Sequence, residues 1–309
     1  MDKFVVGIDV AKANLDVHVL PSGEAFAVDR EAAGIDALIA RLRPLAPSIV
    51  AIEATGGLES VVVASLGAAG LPVVVVNPMQ VRAFAKALGK RAKTDPIDAV
   101  VIAEFAQATR PTVRPLADAE TTALADRVAR RRQLIQMITA EGQREQRASS
   151  RTKKSIQRIR KALEKELKVI EREIDEAIKN SPMWRHNEKL MISVDGVGPA
   201  ISRTIIAELP EIGTLDRREI AALAGLAPFT RQSGQWKGKE FISGGRISLR
   251  AALFMGAMVA ARHNPELKAF YERLLAAGKP KMVALIAVAR KLLTILNAII
   301  RDQKPWQPA

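Results

Sequence analysis

Apolar and polar positions change rhythm twice along the chain, and the changes divide it into three stretches. In the first, short β-type runs alternate with helical periodicity, the pattern of an α/β domain. Phe4 to Val10 and Leu15 to Leu20 flank a tight connection at Ala11 to Asn14, and Glu24 to Val28 is expected as a third antiparallel strand. Glu31 to Leu42 reads as a helix, Ser48 to Glu53 as a strand, Leu58 to Ala69 as a helix, and Pro72 to Asn77 as a strongly apolar strand. From Asp118 to about Lys179 the chain is charged and Gln-rich, with no Pro and one Gly, as expected for long helices. There Ile156, Ile159, Leu163, Leu167, Ile170, Ile174 and Ile178 recur at three- and four-residue steps, one apolar stripe of coiled-coil type. A break is expected near Ala148 to Thr152, which leaves a hairpin and a kinked pair both open. The rest, from about Ser181, is mostly helical apart from a Gly- and basic-rich stretch, Gly225 to Arg250. For these 309 residues the expected divisions are 1–117, 118–180 and 181–309.

Three meandering strands followed by alternating helix and strand is the element order of an RNase H-like domain, and that order gathers acids. Asp9 falls at the end of the first strand and Glu53 at the end of the fourth, on the sheet edge where open α/β folds place their sites. Asp95 and Asp98 come from a later helix expected against that sheet, and three residues apart they share a helix face. Phosphodiester chemistry at two metal ions needs carboxylates that bridge and flank ions about 4 Å apart. Plainer roles compete. Asp9 is also a turn former, Glu53 also a helix-start acid, and Asp95-Pro96-Ile97-Asp98 reads as an N-cap with Pro at the first helical position and an acid at the third. Capping by one acid and coordination by another are compatible.

Composition narrows the chemistry. With 48% hydrophobic residues the chain is long enough to bury a large core. No cysteine is present, which excludes disulfides, thiolate ligands and Cys nucleophiles, and three scattered histidines argue against zinc. Oxygen ligands remain, and they favour Mg²⁺ or Mn²⁺. The formal charge of +14 would draw in polyanions, first among them a nucleic-acid backbone; a membrane surface competes. Between Arg127 and Arg172 fifteen Lys or Arg stand against five Glu, which points to a nucleic-acid-binding arm with Arg130, Arg131, Arg132, Lys153 and Lys154 as contacts. Arg82, Lys86, Lys90, Arg91 and Lys93 give a phosphate a basic approach to the acids. The start lacks a secretory pattern, and the apolar run Met282 to Ile300 carries Arg290 and Lys291 at its middle, so a packed helix, no membrane span and a cytoplasmic protein are expected.

In the last stretch Gly196-Val197-Gly198-Pro199 resembles the turn of a helix-hairpin-helix, whose backbone N–H groups suit a phosphate; the plainer reading is a Gly-ended helical connection. Ser233, Ser243 and Ser248 are hydroxyl candidates. Ser233 lies between Arg231 and the pair Lys237 and Lys239, which are suited to hold a phosphate, and Arg246 and Arg250 follow. No His or Asp follows at close range to serve as its base, so activation has to come from metal or from distant residues.

With GIDVAK, EATG, KTDPIDA, the GVG turn, GLAPFTRQSG and GGRISLR in that order, nearly the whole chain resembles the DEDD-type transposases of bacterial insertion sequences, the IS110 family. One such motif is weak; six in order are specific. The resemblance implies a RuvC-like domain followed by a second transposase domain, with Asp9, Glu53, Asp95 and Asp98 as a tetrad binding Mg²⁺ or Mn²⁺. It further implies that Ser233 attacks DNA to leave a transient phosphoserine link, with Ser243 as the fallback. A structured guide RNA would pair with donor and target DNA, and a homo-oligomer, dimer or tetramer, would carry the reaction, with the Ile156 to Ile178 stripe as a natural seam. Two other functions use the same residues: a junction-resolving endonuclease in which water attacks, and a non-enzymatic RNA- or DNA-binding protein.

Overall fold

The computed structural model describes residues 3–90, 95–113, 118–230, 232–233, 236–238 and 240–307, with Asp95–Ile97, Gln232, Trp236 and Lys237 described by backbone alone. The chain divides into two compact units, Met1–Leu116 and Ala117–Ala309.

The first unit is built on strands β1 (Val5–Val10), β2 (Asn14–Leu20), β3 (Glu24–Asp29), β4 (Ile49–Glu53) and β5 (Val73–Val76) in the order β3-β2-β1-β4-β5. The first three are antiparallel, while β4 pairs parallel with β1 and β5 parallel with β4. Alternation along β1 sends Val6, Ile8 and Val10 to one face. There α1 (Ala32–Leu42) and α2 (Ser60–Ala68) bury Ile35, Leu38, Leu42, Val62 and Leu66 against them. Val5, Gly7 and Asp9 face the other way. That side is covered by α3 (Pro78–Ala87), capped by the Asn77 side chain, and by α4 (Asp95–Thr109), through Val81, Val101, Ile102, Phe105 and Ala106.

Gly7 allows α4 to lie on the sheet. A Cβ there would come 2.4 Å from both the Ala99 carbonyl oxygen and the Ala103 nitrogen, so any side chain would lift the helix off. Ala106 and Gln107 line a hollow with Val5 and Ile49, while Ala99 and Ala103 meet Gly7. The helix therefore runs antiparallel to β1, and its first turn falls at the carboxyl end of β1 and β4.

The second unit opens with α5 (Ala119–Arg147) and α6 (Ser150–Asn180), which break where the sequence expects. Pairs Arg127–Glu173, Arg131–Glu171 and Arg160–Glu145 descend one helix as they climb the other, so the two form an antiparallel hairpin, roughly 45 Å long at 1.5 Å per residue. The apolar stripe is buried only at its base, at Ile174 and Ile178, whereas Ile159 is 50% exposed. Those two join Leu124 and Val128 in the core of the remaining helices: α7 (Pro182–Ile192), α8 (Pro199–Glu208), α9 (Arg217–Leu223), α10 (Ile247–His263), α11 (Pro265–Ala276) and α12 (Lys281–Asp302). By length and composition α12 could cross a membrane. It instead runs through this core, with Val288, Leu292, Leu293 and Leu296 fully buried. Between α9 and α10 lie two small ribbons, β6 (Pro228–Phe229) with β9 (Phe241–Ile242), and β7 (Gln232–Ser233) with β8 (Trp236–Lys237).

Candidate functional site

Acids from three strands and one helix share one edge of the first unit. Register pairs Ile8 with Ile52, so the next residues, Asp9 and Glu53, stand side by side at the ends of parallel strands and on the face that carries α4. Asp16 lies directly across from Asp9 on β2, on the same face, and takes a 3.0 Å hydrogen bond from the Asn14 side chain. Asp9, Asp16, Glu53 and Asp98 are each half-buried. Asp95 and Asp98 sit in the first turn of α4, which the direction of that helix brings to the same edge. The side chain of Asp95 lies outside the described residues.

The donors at this edge are all oxygens, a set that suits Mg²⁺ or Mn²⁺. Among the described residues no three His, Asp or Glu side chains are close enough together to hold a metal ion. The edge is thus a gathering of carboxylates at element ends, with the Asp95 side chain, also expected there, outside the described residues.

Two neighbours of this edge were not singled out in the sequence. Asp16 was legible in principle: Asp9 and Asp16 are spaced symmetrically about the turn closed by the Ala11 N–H on the Asn14 carbonyl, 3.0 Å, so they had to oppose each other. Glu59 organises the loop after Glu53, accepting from the Thr55 and Gly57 amides at 3.0 and 2.8 Å and from the Thr55 hydroxyl at 3.2 Å. Burial pushes the Glu59 carboxyl up, but its own backbone N–H and those of Gly57 and Thr55, with the Thr55 hydroxyl, outweigh this and hold it below the usual carboxylate range. His18, opposite Gly7, is buried with no hydrogen-bond partner for Nδ1 among the described residues. Burial lowers its pKa, opposed by Glu104 and assisted by Lys90. Lys90 itself is tied to Glu104 at 2.6 Å. Arg91 and Lys93, expected on the same approach, lie outside the described residues.

In the second unit Ser233 is exposed on β7, opposite Trp236. Arg231 and Lys239 lie outside the described residues, and of Lys237 only the backbone is described, opposite Gln232. Ser243 is exposed in the loop before α10. Ser248 hydrogen-bonds Glu208, which also accepts from Arg132 at 2.6 Å, so this hydroxyl ties α10 to α8 and α5.

The expected cations divide into two kinds. Arg246 forms a two-bond fork with Glu211, both at 2.6 Å, which ties the start of α10 to the α8–α9 connection, and Arg250 donates to the Gly225 and Gly244 carbonyls at 3.2 and 2.6 Å, which holds the loop at Gly244 to the end of α9. Arg131 and Arg132 are paired with Glu171 and Glu208. Arg130 is exposed and donates to the Gln133 side chain at 3.2 Å, and Lys153 and Lys154 are exposed. At the α7–α8 connection Gly196 has φ +104° and packs so tightly on α10 that a Cβ would meet that of Ala260 at 2.7 Å, while Gly198 faces open space at the start of α8.

Two family models match the chain, the first spanning the first unit and much of the α5–α6 hairpin, the second the helices that follow. A family model described as Transposase, of the IS110 DEDD type, matches residues 6–165, and one described as Transposase IS116/IS110/IS902 family matches residues 188–272. The chain belongs to the IS110 family of transposases. Among the relatives of this IS110-family transposase is the pilin gene-inverting protein of Moraxella bovis, 31% identical over 242 residues, which cover 76% of this chain and 74% of the relative. The IS900 42 kDa protein of Mycobacterium paratuberculosis is 33% identical over 131 residues, 40% of this chain and 32% of that one. Membership and these relatives make the protein a DNA recombinase of the transposase class.

Proposed function

We propose that this transposase cuts and rejoins DNA with two chemical centres, the tetrad Asp9, Glu53, Asp95 and Asp98 of a RuvC-like domain and the Ser233 hydroxyl. The observation that carries the first is the register of Asp9 beside Glu53 under the antiparallel first turn of α4. The sheet order β3-β2-β1-β4-β5 supports the RuvC-like assignment. These oxygens would hold Mg²⁺ or Mn²⁺, which when bound offsets charge building up on a phosphate.

In the second centre the Ser233 oxygen attacks the phosphorus of a DNA phosphodiester. A phosphoserine ester forms, the bond to one deoxyribose oxygen breaks, and the proton lost by the serine ends on that leaving oxygen. A hydroxyl at another strand end then attacks the ester and restores the serine. One phosphodiester is exchanged for another, so rejoining needs no outside energy. The exposure of Ser233 on a small ribbon supports this role, since an attacking hydroxyl has to reach its phosphate. The relatives' name, pilin gene-inverting protein, is consistent with cutting and rejoining, because inverting a gene requires both.

The partners in this reading are donor and target DNA, a structured guide RNA that pairs with both and copurifies from cytoplasm, and further copies of the chain. The basic hairpin supports polyanion binding through its exposed Lys153 and Lys154. The test is to denature the protein after reaction with end-labelled DNA. A label bound to the wild type and to Ser243→Ala, but absent from Ser233→Ala, is expected. A labelled adduct surviving in Ser233→Ala would overturn the serine assignment, and cut ends without any adduct would favour a water-attacking endonuclease.

A further inference from the structure

Beside the Ser233 ribbon lies an apolar surface that strand exchange as set out above does not use. Phe229 on β6 and Phe241 on β9 are cross-strand partners, with ring centroids 6.0 Å apart and planes 27° from parallel. Both are about half exposed, at 51% and 41%. Phe241 forms one wall of a groove of about 520 Å³ whose other wall is the start of α12, where Met282 and Val283 are 61% and 49% exposed. That volume suits a small ligand, since such pockets run to about 300–1,000 Å³. Among the described residues, Lys279 and Arg290 line the groove with one acid, Glu240.

A contiguous exposed apolar patch marks an interaction surface, and the chemistry here selects the partner. A half-exposed ring backed by a second ring and sharing its groove with two cations matches a base with its phosphate, because stacking on aromatic side chains and attraction of the backbone are the two terms that hold an unpaired strand. A duplex presents no free base face to such a wall. Glu240 adds an acceptor for a base amino group and Arg290 a donor for a base carbonyl. Phe229 precedes Ser233 by four residues, so a base held here would belong to the strand at the serine.

We infer that this groove takes an unstacked base of single-stranded DNA, close to the phosphate that Ser233 attacks; the choice of DNA rests on the proposed serine chemistry. The experiment uses the full chain carrying Ser233→Ala, so that no cleavage occurs, with a DNA strand containing 5-iodouracil at successive positions. Photocrosslinks to Phe229 or Phe241 are expected at one narrow position. Phe229→Leu with Phe241→Leu should weaken single-strand binding about tenfold or more, while Phe229→Trp, which keeps a ring, retains it. Unchanged affinity in the double Leu variant overturns the proposal. So does a ring dependence seen with an RNA strand of the same sequence and not with DNA. A changed sedimentation mass of the DNA-free double variant also overturns it, by showing a second copy seated on the rings. Because binding and crosslinking are read on the rings and not on the adduct, an adduct that survives in Ser233→Ala, or cut ends without one, leaves this readout intact, and the two failures are separable.

Discussion

At the scale of single residues, strand alternation made most of the acidic edge legible. Asp9 and Glu53 follow apolar strands whose inward residues are fixed by a period of two, so both had to face the side that α4 covers. Glu59 was not legible, because its role depends on a loop doubling back to place the Thr55 and Gly57 amides around one carboxylate. Its ionisation is held below the usual carboxylate range. The contribution to stability is therefore complete at neutral pH and is lost as pH falls through the usual range and then through the lower folded value. In Glu59→Gln the Thr55 and Gly57 amides should exchange hydrogen about tenfold faster than in the wild type at pH 7, as expected for losing roughly 1.5 kcal/mol of charged hydrogen bonding. The difference should shrink as pH falls through the lowered folded value of Glu59 and vanish once both proteins carry a neutral side chain; a pH-independent difference would assign the loop to packing.

At the scale of elements, long periodic segments were the most readable. The break between α5 and α6 followed from Ala148 to Thr152, and hairpin geometry was settled by ion pairs that no single helix pattern reveals. The strands β6 to β9 are two residues each, too short for any alternation to show, so the Phe229–Phe241 pair had no signal in the sequence. The excess charge of the hairpin also hides a division of labour. Arg132 leaves Glu208, a mostly buried acid at 14% exposure, without its cation if neutralised, so its removal acts on the fold. Lys153 and Lys154 are exposed, and Lys153 adds only the smallest of the attractions that act on Glu145. Lys153→Gln with Lys154→Gln should leave the melting temperature unchanged and reduce the slope of log affinity against log salt for duplex DNA by about 2, if each lysine neutralises one phosphate. An unaltered slope would remove the hairpin tip from the DNA contact.

At the scale of the whole molecule, the order of six motifs was enough to read family membership, which the two family models bear out over residues 6–165 and 188–272. The three stretches of the sequence become two compact units, since the base of the hairpin, at Leu124, Val128, Ile174 and Ile178, is buried among the helices that follow it. Those four are a small part of the apolar positions in this charged stretch, and nothing in the pattern sets them apart in the sequence. Carboxylates distant along the chain are proposed to hold divalent metal together at the edge of the first unit, and Mn²⁺ titration of the full chain, read by calorimetry without DNA, checks this. Expected is saturable binding in the wild type, weakened about tenfold or more by Asp9→Asn and by Glu53→Gln but not by Asp126→Asn on the exposed face of α5. Folded Asp9→Asn and Glu53→Gln proteins that bind Mn²⁺ as the wild type does would contradict it.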